Sequence, residues 1–502
     1  MIFFMGDSKC RTRRRLYPKH GRKATVSHLL SPNAEQSVTS AIFSPQRKRL
    51  RATASLDFSA PIGRTRAMTP NARLSAAIHL LNELFREKRP LASVLKEWGQ
   101  QNRYAGSGDR NAVGNLVHDA LRVKSSAQWI MGVKDRDDGR AATLGMLRLL
   151  RGMSPDAISA LCSGDRFAPP PLSNGEQAAL AAANLTDAPP AVLGDYPEWL
   201  DEGFAFVFGD NRITELRAMA NRAPLDLRAN ALKLPRLKAL EAIGHLGPEP
   251  VTIAPEALRI RANAEGRVPY VQAEPAFLKG GIEVQDAGSQ LAARLAGVKP
   301  GMQVLDFCAG GGGKTLALAA AMNNKGQIFA TDSDARRLAP IHERLTRAGV
   351  RNAQVRTPKG KTAPEIDDLA GRMDLVLVDA PCTGAGTWRR HPDAKWRLRP
   401  NALDMRMAEQ RDVLESAQAF VKPGGRLVYV TCSLIDRENG AQVADFLSRH
   451  ADFSLVDPTT NADALALTTI AEHRDPRGLG LLLTPHRTDT DGFFVAVLTR
   501  RA

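Results

Sequence analysis

The chain has 502 residues, 43% of them hydrophobic, which suits two or three packed domains rather than one. No stretch of eighteen apolar residues is present and the opening MIFFMG is too short for a secretory core, so a soluble, cytoplasmic protein with no membrane partner is predicted. The net charge of +16 is lopsided, and the five cysteines form no C-x-x-C pair, which argues against a structural zinc site and a disulfide framework and leaves free thiols.

Residues 1–67 hold 14 Lys or Arg against 3 Asp or Glu, and runs such as RTRRR and RKRLR have no apolar periodicity beside them. This segment is expected to be a basic, disordered extension, either a nucleic-acid-attracting arm or an incidental one. From residue 68 to 165 the text is helical: LSAAIHLLNELF, PLASVLKEWGQQN, RNAVGNLVHDALR and AATLGMLRLLRGM repeat apolar residues at three and four positions. FAPPPLSNG opens a linker and a helix over 166–195. Residues 196–281 mix helices with short apolar alternations and predict a small α+β module. Over 282–502 strands alternate with helices: helix 285–296, strand VLDFCA, helix 313–322, strand QIFATD, helix 335–348, strands AQVRT and DLVLVDA, helix 403–421, strand RLVYVTC, helix 438–449, and a last pair around LLLTP and GFFVAVL. Apolar strands separated by helices imply a mostly parallel, doubly wound sheet.

The run VLDFCAGGGGKT suggests a phosphate loop at first sight. A Walker A motif needs a glycine where this chain has Cys308, so the pattern fails at an essential position. It does suit the cofactor loop after the first strand of a doubly wound sheet, where glycines let the backbone approach a ligand at a helix start. The next strand ends in ATDSD, which sets Asp332 where an acid accepts hydrogen bonds from ribose hydroxyls. Loop, acid and strand order point to an adenosine-bearing cofactor without a pyrophosphate.

Two later strands end in DAPC and VTCS, so Cys382 and Cys432 lie at the carboxyl ends of adjacent strands, with Asp379 nearby. Each alone suits a small buried hydrophobe; two converging on one crevice suit chemistry. Carbon 5 of cytosine accepts a methyl group only after a thiolate adds to carbon 6, an acid stabilises the charge at ring nitrogen 3, and a proton later leaves carbon 5.

The set CAGGGGKT, DAPCTGAGTWRRHPD, VTCS and DGFFVAVL resembles the Nop/Sun family of RNA (cytosine-5)-methyltransferases, and the helical region resembles the NusB-like domain of the bacterial 16S ribosomal RNA methyltransferase B type. The resemblance implies a Rossmann-like α/β domain dependent on S-adenosylmethionine, preceded by an all-α NusB-like domain and a small α+β module. It implies Cys432 as nucleophile, Cys382 as the aid to product release, and Asp379 facing both the base and the methyl donor. Cys308, Ala309, Gly310, Gly311, Gly312, Gly313 and Lys314 would wrap the donor, and Asp332 would hold its ribose. Where the family usually has Ala-Pro this chain has Gly310 and Gly311, and the usual acid for the adenine has no counterpart near Thr357. DGFF is read as strand-pair core rather than catalysis.

Arg389, Arg390 and His391, flanked by Trp388 and Trp396, are either a solvated charged loop or a mouth that contacts RNA phosphates and stacks bases. The expected partner is ribosomal RNA presenting an unpaired or flipped cytosine, bound by a monomer without a metal. A tRNA cytosine methyltransferase and a non-catalytic ribosome-assembly factor are the competing readings. A DNA methyltransferase would leave Cys432 without a role.

Overall fold

The structure is a computed structural model that describes residues 67–133, 137–263, 266–358, 365–457, 470 and 472–502. The basic extension expected over 1–67 lies outside the described residues except for Ala67.

The first helix, Pro70–Glu87, starts where Thr69 accepts the Ala72 N–H and Pro70 needs no donor of its own. It buries Leu74, Ala77, Leu80, Leu81 and Leu84, one stripe at three- and four-residue spacing. That stripe packs with helices Ser107–Arg122 and Gly139–Leu149 in an all-α core that also takes in Cys162 and Leu180. The helical unit therefore runs past the expected boundary at 165, through a helix, Asn174–Ala182, opened by a Ser173–Glu176 capping box.

A small antiparallel sheet follows, made of β1 (Leu225–Ala229), β2 (Glu249–Pro250), β3 (Ala257–Ile260) and β4 (Ile282–Val284), in the order β2-β3-β1-β4. The α+β module was expected to span 196–281, and the structure moves both edges. Its last strand lies beyond 281. Helices Asp201–Phe208 and Arg212–Ala218 join the core of the following domain instead, where Tyr196, Phe204 and Leu216 are buried with Trp388 and Tyr429. Aromatic packing draws them there: Phe204 meets both Tyr196 and Trp388 edge-on, with centroids 5.2 and 6.2 Å apart.

The large sheet comprises β5 (Gln303–Asp306), β6 (Gln327–Thr331), β7 (Ala353–Arg356), β8 (Met373–Asp379), β9 (Val421–Thr431), β10 (Phe453–Val456), β11 (Leu481–Leu483) and β12 (Phe493–Arg500). Its order is β7-β6-β5-β8-β9-β12-β10, with β11 paired to β12. β5 to β9 run parallel and β12 is antiparallel to β9. Successive residues of one strand face opposite cores: Val376 and Val378 on one side, Leu375 and Leu377 on the other. The chain winds outward from β5 to β7 and returns to β8, so the strand order reverses between β5 and β8 and opens a crevice at their carboxyl ends.

Three local expectations change. The helix foreseen over 335–348 breaks at Pro340 into Ala335–Leu338 and Ile341–Ala348. The one foreseen over 403–421 runs Pro400–Gln418, with proline in its first turn, and β9 already begins at Val421. β10, too short to stand out in sequence, pairs antiparallel with β12. Among the described residues no helix is long and apolar enough to cross a membrane.

Candidate active site

After β5 the chain turns through Phe307–Gly312 into the helix Gly313–Ala321. Gly310 and Gly312 adopt φ of +49° and +81°, and a Cβ at 312 would lie 2.4 Å from the Ile341 side chain. Glycine is required at 312 both by backbone conformation and by space. Asp332, at the end of β6 and 1% exposed, accepts the N–H of Gly310 and the N–H of Asp334, each at 3.0 Å, with Arg337 at 3.7 Å. Arg344 donates to the Gly311 carbonyl, and the Ala309 N–H donates to Thr331. The loop is thus pinned by β6 and by the helix that follows it.

Lys314, in the first turn of the helix, reaches across the strand reversal and donates to Asp379 Oδ2 at 2.6 Å. Asp306, fully buried, accepts from Thr315 Oγ1 at 2.6 Å through one oxygen; the other has no partner among the described residues. Burial pushes its carboxyl up to about 7. Burial, then the carboxylates of Asp332, Asp379 and Asp306, push the Cys308 thiol above its ordinary range, so Cys308 stays protonated. Asp306, Asp332 and Asp379 thus gather around the loop, with Lys314 paired to Asp379 and Arg337 beside Asp332. That donor set, with an open glycine backbone, fits a ligand with ribose hydroxyls and a positive centre.

Asp379 on β8 is in register with Val430 on β9, which brings the two following turns together. Cys382 and Cys432, both half-buried, have their sulfurs 3.3 Å apart. The hydrogen bond to Cys432, followed by burial, raises the Cys382 thiol well above its ordinary range.

Beneath the pair sits Glu438, with no exposed surface. It accepts from Thr383 N–H at 2.7 Å, Thr383 Oγ1 at 2.5 Å, Ser433 Oγ at 2.5 Å and Gln410 Nε2 at 3.1 Å. Burial pushes its carboxyl up and these donors oppose the shift. Asn439 accepts from Thr431 Oγ1 and donates to the Ser433 carbonyl, bracketing Cys432 on both sides. Sequence reasoning missed both Glu438 and Asp306. Asp306 carried a usable signal, as an acid ending an apolar strand; Glu438 was absorbed into the start of the helix expected over 438–449.

Arg389 and Arg390 do not form an RNA-facing mouth. Arg389 is 2% exposed and donates to Asp491 and Asp286, and Arg390 donates to the same two carboxylates and to the Pro224 carbonyl. Buried guanidiniums need fixed counter-charges, and two aspartates distant in sequence provide them. The flanking tryptophans are structural as well: Trp388 is buried in the core, and Trp396 donates to the Leu121 carbonyl of the helical domain. His391 is exposed and lines a cavity of about 320 Å³ with Thr383, Gly384 and His118. In DGFF, Phe494 is core and Gly492 packs against Gly386, whose added Cβ would meet the Gly492 carbonyl at 2.1 Å.

Residues 294–499 match the family model described as 16S rRNA methyltransferase RsmB/F. Ribosomal RNA small subunit methyltransferase B of Pectobacterium carotovorum is 34% identical over 308 residues, covering 61% of this chain and 66% of that protein. The protein of the same description in Yersinia pseudotuberculosis is 29% identical over 447 residues, covering 85% of this chain and 98% of the relative. A solved structure described as a methyltransferase homolog protein from Pyrococcus horikoshii has a TM-score of 0.50 at 26% identity, covering 62% of this chain and 97% of that one.

Proposed function

Because the chain belongs to the 16S rRNA methyltransferase RsmB/F family, we propose that it methylates carbon 5 of a cytosine in ribosomal RNA, with S-adenosylmethionine as the methyl donor. The observation that carries this reading is the pair of thiols 3.3 Å apart at the ends of β8 and β9, beside the glycine loop of β5.

When bound, S-adenosylmethionine supplies an electrophilic methyl group on a sulfonium. Cys308 to Lys314 would form its cradle and Asp332 would accept from its ribose hydroxyls. Cys382, raised by its hydrogen bond to Cys432 and by burial, keeps its proton, and Cys432 is the thiol that attacks. The Cys432 thiolate adds to carbon 6 of the cytosine, and carbon 5 becomes nucleophilic. Asp379, oriented by Lys314, acts in its protonated form, donating a hydrogen bond to ring nitrogen 3 as negative charge develops there. After methyl transfer a water molecule takes the carbon 5 proton, the freed electron pair re-forms the carbon 5–carbon 6 double bond, and the carbon–sulfur pair leaves with Cys432 as its thiolate; Cys382, hydrogen-bonded to that sulfur, assists this release. His391, exposed in the cavity it lines with Thr383 and Gly384 next to Cys382 in the chain, is proposed as an RNA contact.

The test is covalent trapping on denaturing gels with a ribosomal RNA fragment. Cys382→Ala accumulates a protein–RNA adduct, and Cys432→Ala forms none and loses methyl transfer by about 10⁴-fold or more. Undiminished methylation by Cys432→Ala would refute the chemistry. A lost bisulfite signal in tRNA, with ribosomal RNA untouched, in cells lacking the protein would refute the substrate.

A further inference from the structure

Glu438 touches neither sulfur, yet it is the only group among the described residues bonded to the side chains that directly follow both of them, Thr383 after Cys382 and Ser433 after Cys432. The turns belong to different strands whose backbones are joined by the Ala380 N–H to the Val430 carbonyl and by the Gly386 N–H to the Cys432 carbonyl, and Glu438 adds a side-chain tie between the residues that directly follow the two cysteines. We propose that Glu438 is a positioning residue for both thiols, a clamp that sets their separation and so couples attack by one to release by the other. The proposal rests on the two-thiol chemistry above for its meaning in catalysis, but not for its geometry.

Every neighbour of the carboxylate is a donor. Thr383 N–H and Gln410 Nε2 converge on Oε1, and the two hydroxyls converge on Oε2. Gln410 also donates to the Pro381 carbonyl, so the clamp grips the first turn on both sides of Cys382. Tyr429 on β9 donates to the Glu438 carbonyl, and Asn439 fixes Thr431 and Ser433. The acid is therefore held by the strand that ends in Cys432 and holds the turn that carries Cys382. Glutamine fits the same place: its oxygen accepts where Oε1 does, and its amide donates to two hydroxyls that rotate to accept. Alanine leaves the hydroxyls and the Thr383 N–H without their acceptor, and the turns part.

A trivalent arsenical measures this separation without any turnover. Phenylarsine oxide bonds both sulfurs through arsenic, and its oxygen leaves as water with the two thiol protons. Intact-mass titration of the full chain is expected to show one arsenical bridging Cys382 and Cys432 in the wild type, lost in Cys382→Ser and in Cys432→Ser. Glu438→Gln retains the bridge and turns over within about tenfold of the wild type. Glu438→Ala weakens chelation and lowers kcat by about a hundredfold each, with KM for RNA little changed. Ser433→Ala, which cuts one arm only, falls between them and serves if Glu438→Ala does not fold. Wild-type chelation in both Glu438→Ala and Ser433→Ala, or a Glu438→Gln protein as impaired as the alanine variant, would overturn the clamp. Failure of the two-thiol chemistry would appear separately, as methylation by Cys432→Ala with chelation in the Glu438 series unaltered.

Discussion

The end of β8 and its connection to the helix Pro400–Gln418 carry two polar segments with different surroundings. Asp379 to Thr383 faces the crevice and stays chemically open: a carboxylate shared with Lys314, a thiol beside a thiol, and a nearby acid, Asp306, with one unpaired oxygen. Arg389 and Arg390 turn inward and are closed, two guanidiniums against Asp286 and Asp491. The difference teaches that a charged motif has no fixed meaning until its counter-charges are located. Balanced internally, it is architecture; left unbalanced at the strand ends, it is a site.

The largest effect that would sharpen this contrast is on stability. Arg389→Ala removes the buried one of the two guanidiniums that balance Asp286 and Asp491, leaving Arg390 alone with both, and is expected to cost about 3 kcal/mol in denaturant unfolding, before any effect on RNA. An Arg389→Ala protein of wild-type stability that binds RNA poorly would reverse the assignment. Next comes the pH dependence of the open segment. The Asp306 carboxyl is raised to about 7 when folded and lies near 4 when unfolded, so the folded state holds the extra proton between those values. Its contribution is present at low pH and lost as pH rises through about 7. Asp306→Asn therefore gains stability relative to the wild type from pH ~4 to ~7, as read by urea midpoints along a pH series without cofactor; a constant difference would break the comparison. The smallest effect belongs to His391→Ala, expected to leave unfolding unchanged and to weaken binding of an rRNA fragment by less than about tenfold in fluorescence anisotropy.

The parts of the site legible in sequence are those encoded next to one another. The glycine loop follows its strand directly, Asp332 ends the next one, and each cysteine ends a strand of its own, so strand order alone brings them to one crevice. Glu438 could not be found this way, because its partner Thr383 is 55 positions distant and nothing local marks an acid that caps two turns at once. The same holds for Arg389, whose partner Asp491 is 102 positions away. Read locally, RR between tryptophans is a basic aromatic patch; with its partners, it is an ion-paired quartet with Arg389 buried and Arg390 partly exposed.

Local text also settled most elements: periodicity marked the helices and apolar runs the parallel strands, while the break at Pro340 and the helix start at Pro400 were read only from the folded chain. The tertiary structure alone decided which domain claims Tyr196 to Met219, which arginines are buried, and how far apart the two sulfurs sit. Backbone conformation and amphipathic period are properties of neighbouring residues, and a sequence carries them directly. Burial, ion pairing and the spacing of two turns depend on which distant surfaces meet, and that is resolved only when the chain packs.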